Sequence, residues 1–153
     1  MKIKSFRGKI AGNDPDGSKI TISLHTNDGS IGYKIVKLQL LGSDLTGGTQ
    51  ESTVKVYTVE QTNVDGVVDF SDPTLIAVGF YEQNQSNGIF GDQVVIFDNV
   101  IFNQDLRITH VEGGTTQPVN YHIELEQVKL DLSENTMATL KDIRNIKASS
   151  ESI

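Results

Sequence analysis

The chain contains no cysteine. Thiol nucleophiles, structural Cys–zinc sites and Cys-ligated iron–sulfur clusters are therefore excluded, while the redox compartment stays open, because a domain of this size folds without disulfides. Tryptophan is absent too, and only two Met and three Pro occur. Neither a Met-rich adaptable groove nor a Pro-rich recognition segment is present. No window approaches the ~18 consecutive apolar residues that a membrane-spanning helix needs. The opening Met1-Lys2-Ile3-Lys4-Ser5-Phe6-Arg7 lacks the apolar stretch of a secretion signal. The expectation is a soluble product made in the cytoplasm, without membrane contact.

What is present suits one polar-surfaced domain. Of the 153 residues, 37% are apolar, 14 are Gly and 44 are Ser, Thr, Asn or Gln, so much of the chain belongs to turns and wet strand faces. Net charge is −7 and unevenly placed. Residues 1–9 and 129–153 hold eight basic and four acidic side chains, a net +4, which leaves −11 on the other 119. An acidic body argues against direct nucleic-acid binding. If the two ends lie on one side, they form a mildly basic face; the plain alternative is ordinary solvated Lys and Arg.

Val119 to Lys147 is the most legible stretch. Val119, Tyr121, Ile123 and Leu125 alternate with Asn120, His122, Glu124 and Glu126, the period of a strand with one buried face. After Gln127 the phase flips to Val128, Leu130 and Leu132, which requires a bulge or a strand that passes from one surface to another. Ser133 then caps a predicted helix at about 134–146, with Met137, Leu140 and Ile143 on its inner stripe. Lys141, Arg144 and Lys147 complete a candidate docking face with Met137 and Leu140. Residues 148–153 read as a flexible tail after a domain spanning 1–147.

Further strands are expected at Lys2–Ile10, Lys19–His25, Ile31–Leu41, Thr53–Val59, Thr74–Tyr81 and Leu106–Val111, with a short one at Val67–Phe70. In the third, alternation puts Val36, Leu38 and Leu40 on one face and Tyr33, Ile35, Lys37 and Gln39 on the other. Gly42–Ser52 and the Asn/Gln-rich Glu82–Gly91 read as polar loops. Val94–Phe102 is the most apolar run and reads as one continuous central strand, with a hairpin turning at Asp98-Asn99 as the alternative. About eight to ten short strands and one terminal helix predict an all-β protein, an antiparallel β-sandwich of jelly-roll type.

Candidate chemistry is thin. His110 and His122 fall on one predicted hairpin, but no His-x-x-x-His spacing or third ligand accompanies them or His25. Asp14, Asp16 and Gly17 suggest a calcium loop, yet placing Gly17 at its sixth position puts Gly12 first and Ser23 last, where carboxylates are needed. Glu60, Asp65, Asp69, Glu124 and Glu126 supply carboxylates without a motif. No Ser lies in a G-x-S-x-G elbow, and no Gly loop precedes a phosphate-binding Lys. No catalytic residue, cofactor or metal is assigned, and the chain reads as noncatalytic. A sugar-stacking platform would have to use Tyr33 and Tyr57.

Three phrases carry a resemblance. They are Gly32-Tyr33-Lys34-Ile35-Val36-Lys37; Asp69-Phe70-Ser71-Asp72 with Phe97 to Asp105; and Tyr121 to Glu126 leading into Ala138 to Arg144. From about Ile31 to Ile146 the chain resembles small virion proteins of marine tailed phages, including those of cyanobacteria and other ocean bacteria. The resemblance implies a structural protein of the virion, attached to head or tail. Expected partners are other virion proteins of the capsid or tail lattice and further copies of the chain. It transfers no functional residues.

Overall fold

Alternating apolar runs closed by Gly-, Asn- and Asp-rich turns become eight strands in the computed structural model, which describes residues 2–12, 18–24, 29–97, 100–113 and 116–130. These are β1 (Lys2–Ile10), β2 (Ser18–Ile22), β3 (Ile31–Gly42), β4 (Thr49–Tyr57), β5 (Leu75–Asn84), β6 (Ile89–Ile96), β7 (Leu106–Glu112) and β8 (Val119–Lys129). They form two antiparallel sheets, ordered β1-β8-β3 and β2-β7-β4-β5-β6. The pairs β1/β8, β2/β7 and β4/β5 trace one long hairpin whose tip joins β4 to β5. The remaining pair of such a hairpin, β3 and β6, lie against each other without a ladder. There the Leu40 N–H donates to the Asp92 carboxylate at 3.4 Å. A folded-over hairpin of this order is a jelly roll, here with β6 kept on β5.

The core lies between the sheets. Val119, Ile123 and Leu125 of β8 are fully buried against Val54, Val56, Leu106 and Ile108 of the facing sheet, as the alternation predicts. Burial of each such side chain contributes about 1.5–3 kcal/mol. Asn120, His122, Glu124 and Glu126 point outward beside Arg7, Lys9, Lys34, Lys37 and Gln39. Lys2 pairs with Gln127 across β1 and β8, so the basic N-terminal strand and Lys129 share one end of the sheet.

Several expectations need correction. In β3 the register against β8 shifts between Ile35 and Lys37, so Val36 is a bulge and turns to solvent. The bulge resets the phase, and Tyr33 and Ile35 join Leu38 and Leu40 in the core instead of facing water. The register of β8 against β3 runs without a shift from Gln127 through Val128 to Lys129, so the flip at Val128 is no bulge. Val128 and Leu130 are only partly exposed. Ile101 and Leu130 close over Gly32, where an added Cβ would lie 2.8 Å from Ile101 and 3.2 Å from Leu130.

Val94–Phe102 is not one central strand. β6 is an edge strand ending at Ile96, and Phe102 crosses to the other sheet, where it exchanges two backbone bonds with Tyr33 at 2.7 and 2.9 Å. The Glu82–Gly91 loop is instead a tight hairpin: β5 runs to Asn84, a 3-10 turn covers Gln85–Asn87, and Gly88 takes the left-handed conformation at φ 67°. Val67–Phe70 forms no strand, and Thr49–Ser52 of the expected polar loop belong to β4. The predicted helix at 134–146 and the tail lie outside the described residues.

Candidate docking surfaces

The buried polar groups are the first candidates for chemistry. At one end of the core, Gln50, Ser52, Tyr81, Gln83 and His110 are buried together. Gln50 Nε2 donates to Ser52 Oγ (2.9 Å) and to the Pro118 carbonyl (2.8 Å), and Tyr81 donates to Gln83 Oε1 (2.9 Å). Gln83 Nε2 in turn holds the Asp44 and Gly47 carbonyls. His110 Nδ1 lies 3.1 Å from the Ala11 carbonyl, so it carries the proton; Nε2 then accepts from Ser52 at 2.8 Å. This is the spacing of a nucleophile and its base, but both side chains have 0% exposure. Gly42 closes the end: a Cβ there would meet Gln50 and Gln83 oxygens at 2.8 Å. What the arrangement does is satisfy polar groups and fix the β4, β5 and β7 ends.

Burial pushes the His110 imidazole below its ordinary value of 6.5, against smaller upward pulls from the Ala11 and Ile10 carbonyls and the Glu112 charge. The folded state therefore holds a neutral ring at pH values where the unfolded chain is protonated. The stabilisation is complete above about pH 6.5 and is lost as pH falls from there through the lowered folded value. Urea unfolding at about pH 7.5 and about pH 5.5 should show this loss, and His110→Gln should flatten the slope. An unchanged slope would remove the assignment to His110. The carboxylates that hydrogen bonds hold low, Asp44, Asp65 and Asp69, act in a more acidic window.

The other sequence candidates are dispersed. His110 faces the core of one sheet and His122 the outside of the other, so the two histidines of the predicted hairpin do not meet. Glu126 pairs with Lys34 at 3.3 Å, and Glu124 lies 3.9 Å from His122. Among the described residues no group of three or more His, Cys, Asp or Glu is arranged to hold a metal. His25, Asp14 and Asp16 lie outside those residues, as do Met137, Leu140, Lys141, Arg144 and Lys147 of the docking face. Tyr33 and Tyr57 are buried, at 3% and 7% exposure, so the stacking platform they were to provide is not available.

The exposed features are apolar. The segment 58–74 covers the outer face of the five-stranded sheet and is pinned from beneath. Lys55, itself buried, donates to Asp65 (3.1 Å) and to the Val67 carbonyl (2.7 Å). Lys19 holds the Gln61 carbonyl at 3.2 Å. The crest so raised exposes Val67 (68%), Val68 and Phe70 (57%), with the Phe70 ring edge-on to Phe97 at 5.1 Å. Glu60, Asp65, Asp69 and Asp72 lie in this segment, which has no Lys or Arg. Asp65 is held low by the Lys55 ammonium, and Asp69 by the Ser71 hydroxyl and N–H, so both stay ionised.

Across the corner between β3 and β6 runs an open groove. Leu41, Leu45 and Phe90 form its exposed apolar part beside Tyr81 and Asp92. Past Leu41 and Asp92 it continues into a cleft of about 910 Å³ bordered by Arg7, Lys9, Asn120 and His122. Sequence reading missed this groove, because its residues come from five separate strands and a loop.

Compared with known proteins, the chain matches no family model and no curated sequence.

Proposed function

We propose that this protein is a noncatalytic structural component of a phage virion that decorates or cements the capsid, with a tail or connector component as the closest variant. The observation that carries the reading is a well-packed jelly roll whose buried polar groups are inaccessible while pinned apolar features stand on its surface. Large exposed apolar patches on a soluble fold mark contact with other proteins. Jelly rolls recur in viral coat proteins as well as in lectins and cupins, so fold alone does not decide among them. The resemblance to marine phage virion proteins favours the first. The carbohydrate-binding alternative loses the two rings on which it rested. The site of action is then the virion, after synthesis in the host cytoplasm.

Particles purified from cells making a tagged copy should hold the protein in a fixed ratio to the shell subunit. Recovery only from the soluble fraction would overturn the proposal. If the basic C-terminal segment attaches the protein, Lys141→Glu with Arg144→Glu should lower occupancy on particles several-fold and leave the isolated domain's melting unchanged. Full occupancy by that variant would remove the segment from attachment.

A further inference from the structure

The crest and the groove are complementary to each other and stand apart on the same molecule. Phe70 of the crest packs on Phe97, just beyond the end of β6, while Phe90 of the groove stands near its start. Seven residues at the ~3.3 Å rise of a strand place these points roughly 23 Å apart. One molecule therefore cannot seat its own crest in its own groove.

The chemistry of the two surfaces matches. The crest offers Val67, Val68 and Phe70 between Asp65 and Asp69. The groove offers Leu41, Leu45 and Phe90, with Arg7 and Lys9 along its continuation. Asp92, the carboxylate in the groove, accepts from the Leu40 N–H. Apolar meets apolar, and anionic flanks meet a cationic border, which steers the approach and disfavours crest against crest. The crest is also rigidly presented, since Lys55 holds its base from below, and a preorganised loop loses less entropy on binding.

We propose that the groove receives the crest of a second copy of this chain, producing a head-to-tail contact. Such a contact uses two different patches, so a joined pair still has one free crest and one free groove, and assembly continues until a ring closes or a filament grows. The inference deepens the virion reading and rests on it for its biological setting, but the contact itself stands on the two surfaces.

The test is the mass of the purified full chain by light scattering and native mass spectrometry. The chain should form oligomers whose affinity falls as salt is raised, because the flanking charges are screened while the apolar contact is kept. Phe70→Asp and Leu41→Asp should each give monomers, and both side chains are exposed, so melting temperatures should stay near the parent's. If either variant melts early, Phe70→Ser or the pair Arg7→Glu with Lys9→Glu takes its place. Mixed in equal amounts, the two monomeric variants should form a dimer and nothing larger, because only one intact crest and one intact groove remain. A monomeric parent, a Phe70→Asp oligomer of parental size, or a mixture that stays monomeric would each overturn the contact. A monomer that still occupies particles sinks this inference alone, whereas an oligomer never found on particles sinks the virion reading alone.

Discussion

Replacing Phe102 by alanine should lower the unfolding free energy by about 3–5 kcal/mol, the range for removing a fully buried aromatic ring. The side chain has 0% exposure, and its ring lies 6.4 Å from that of Tyr33. Its backbone also exchanges both N–H···O bonds with Tyr33, on the free edge of the three-stranded sheet. Phe102 therefore fills the core and closes the sandwich beside β3. The Ala variant keeps the backbone bonds and loses the filling, so urea unfolding should show a lower midpoint with a nearly unchanged slope. A loss below about 1 kcal/mol would mean that the surrounding side chains collapse into the space.

Ser52→Ala should be the second most damaging of the changes considered, although it removes a single oxygen. The hydroxyl donates to His110 Nε2 and accepts from Gln50 Nε2 inside a region closed to water. Each group so stranded costs about 1–3 kcal/mol, because it gave up water on folding and regains nothing. Gln50 retains its bond to the Pro118 carbonyl and is partly compensated. The double variant Ser52→Ala with His110→Leu separates desolvation from packing: it should be less destabilised than the sum of the two single changes. Strict additivity would show that the two side chains do not act as a unit.

The outcome for β8 shows when sequence is enough. One face of that strand is dry and the other wet, so the alternation from Val119 to Glu126 gave its start, its face and the core residues Val119, Ile123 and Leu125. β3 has the same character, but a bulge at Val36 resets its phase, and nothing in the residues around Val36 marks a bulge. Val94 to Phe102 is apolar throughout and carries no period to read. Here the chain leaves β6 after Ile96 and crosses from one sheet to the other, a choice made by tertiary pairing with Tyr33. Gln50 and Ser52 read as loop because polar residues usually face water; they are buried because each finds its partners on other strands or a neighbouring loop. The crest is visible in the sequence as Val67, Val68 and Phe70, but so short an apolar run reads equally as a strand. The groove, assembled from Arg7, Leu41 and Phe90, exists only after folding.

The position of β8 between β1 and β3 has a consequence for how the protein is made. Among the described residues neither β1 nor β3 has another ladder partner in its sheet, so that sheet cannot assemble until residue 129 has left the ribosome. β4 and β5, by contrast, are neighbours in sequence and can zip as soon as they emerge. Synthesis therefore runs for a few seconds with one sheet forming and its apolar face uncovered. Closure then waits on pairings more than a hundred residues apart, such as Lys2 with Gln127, which folds slowly for a chain of this length. The nascent chain is thus most exposed to misassociation just before its eighth strand arrives.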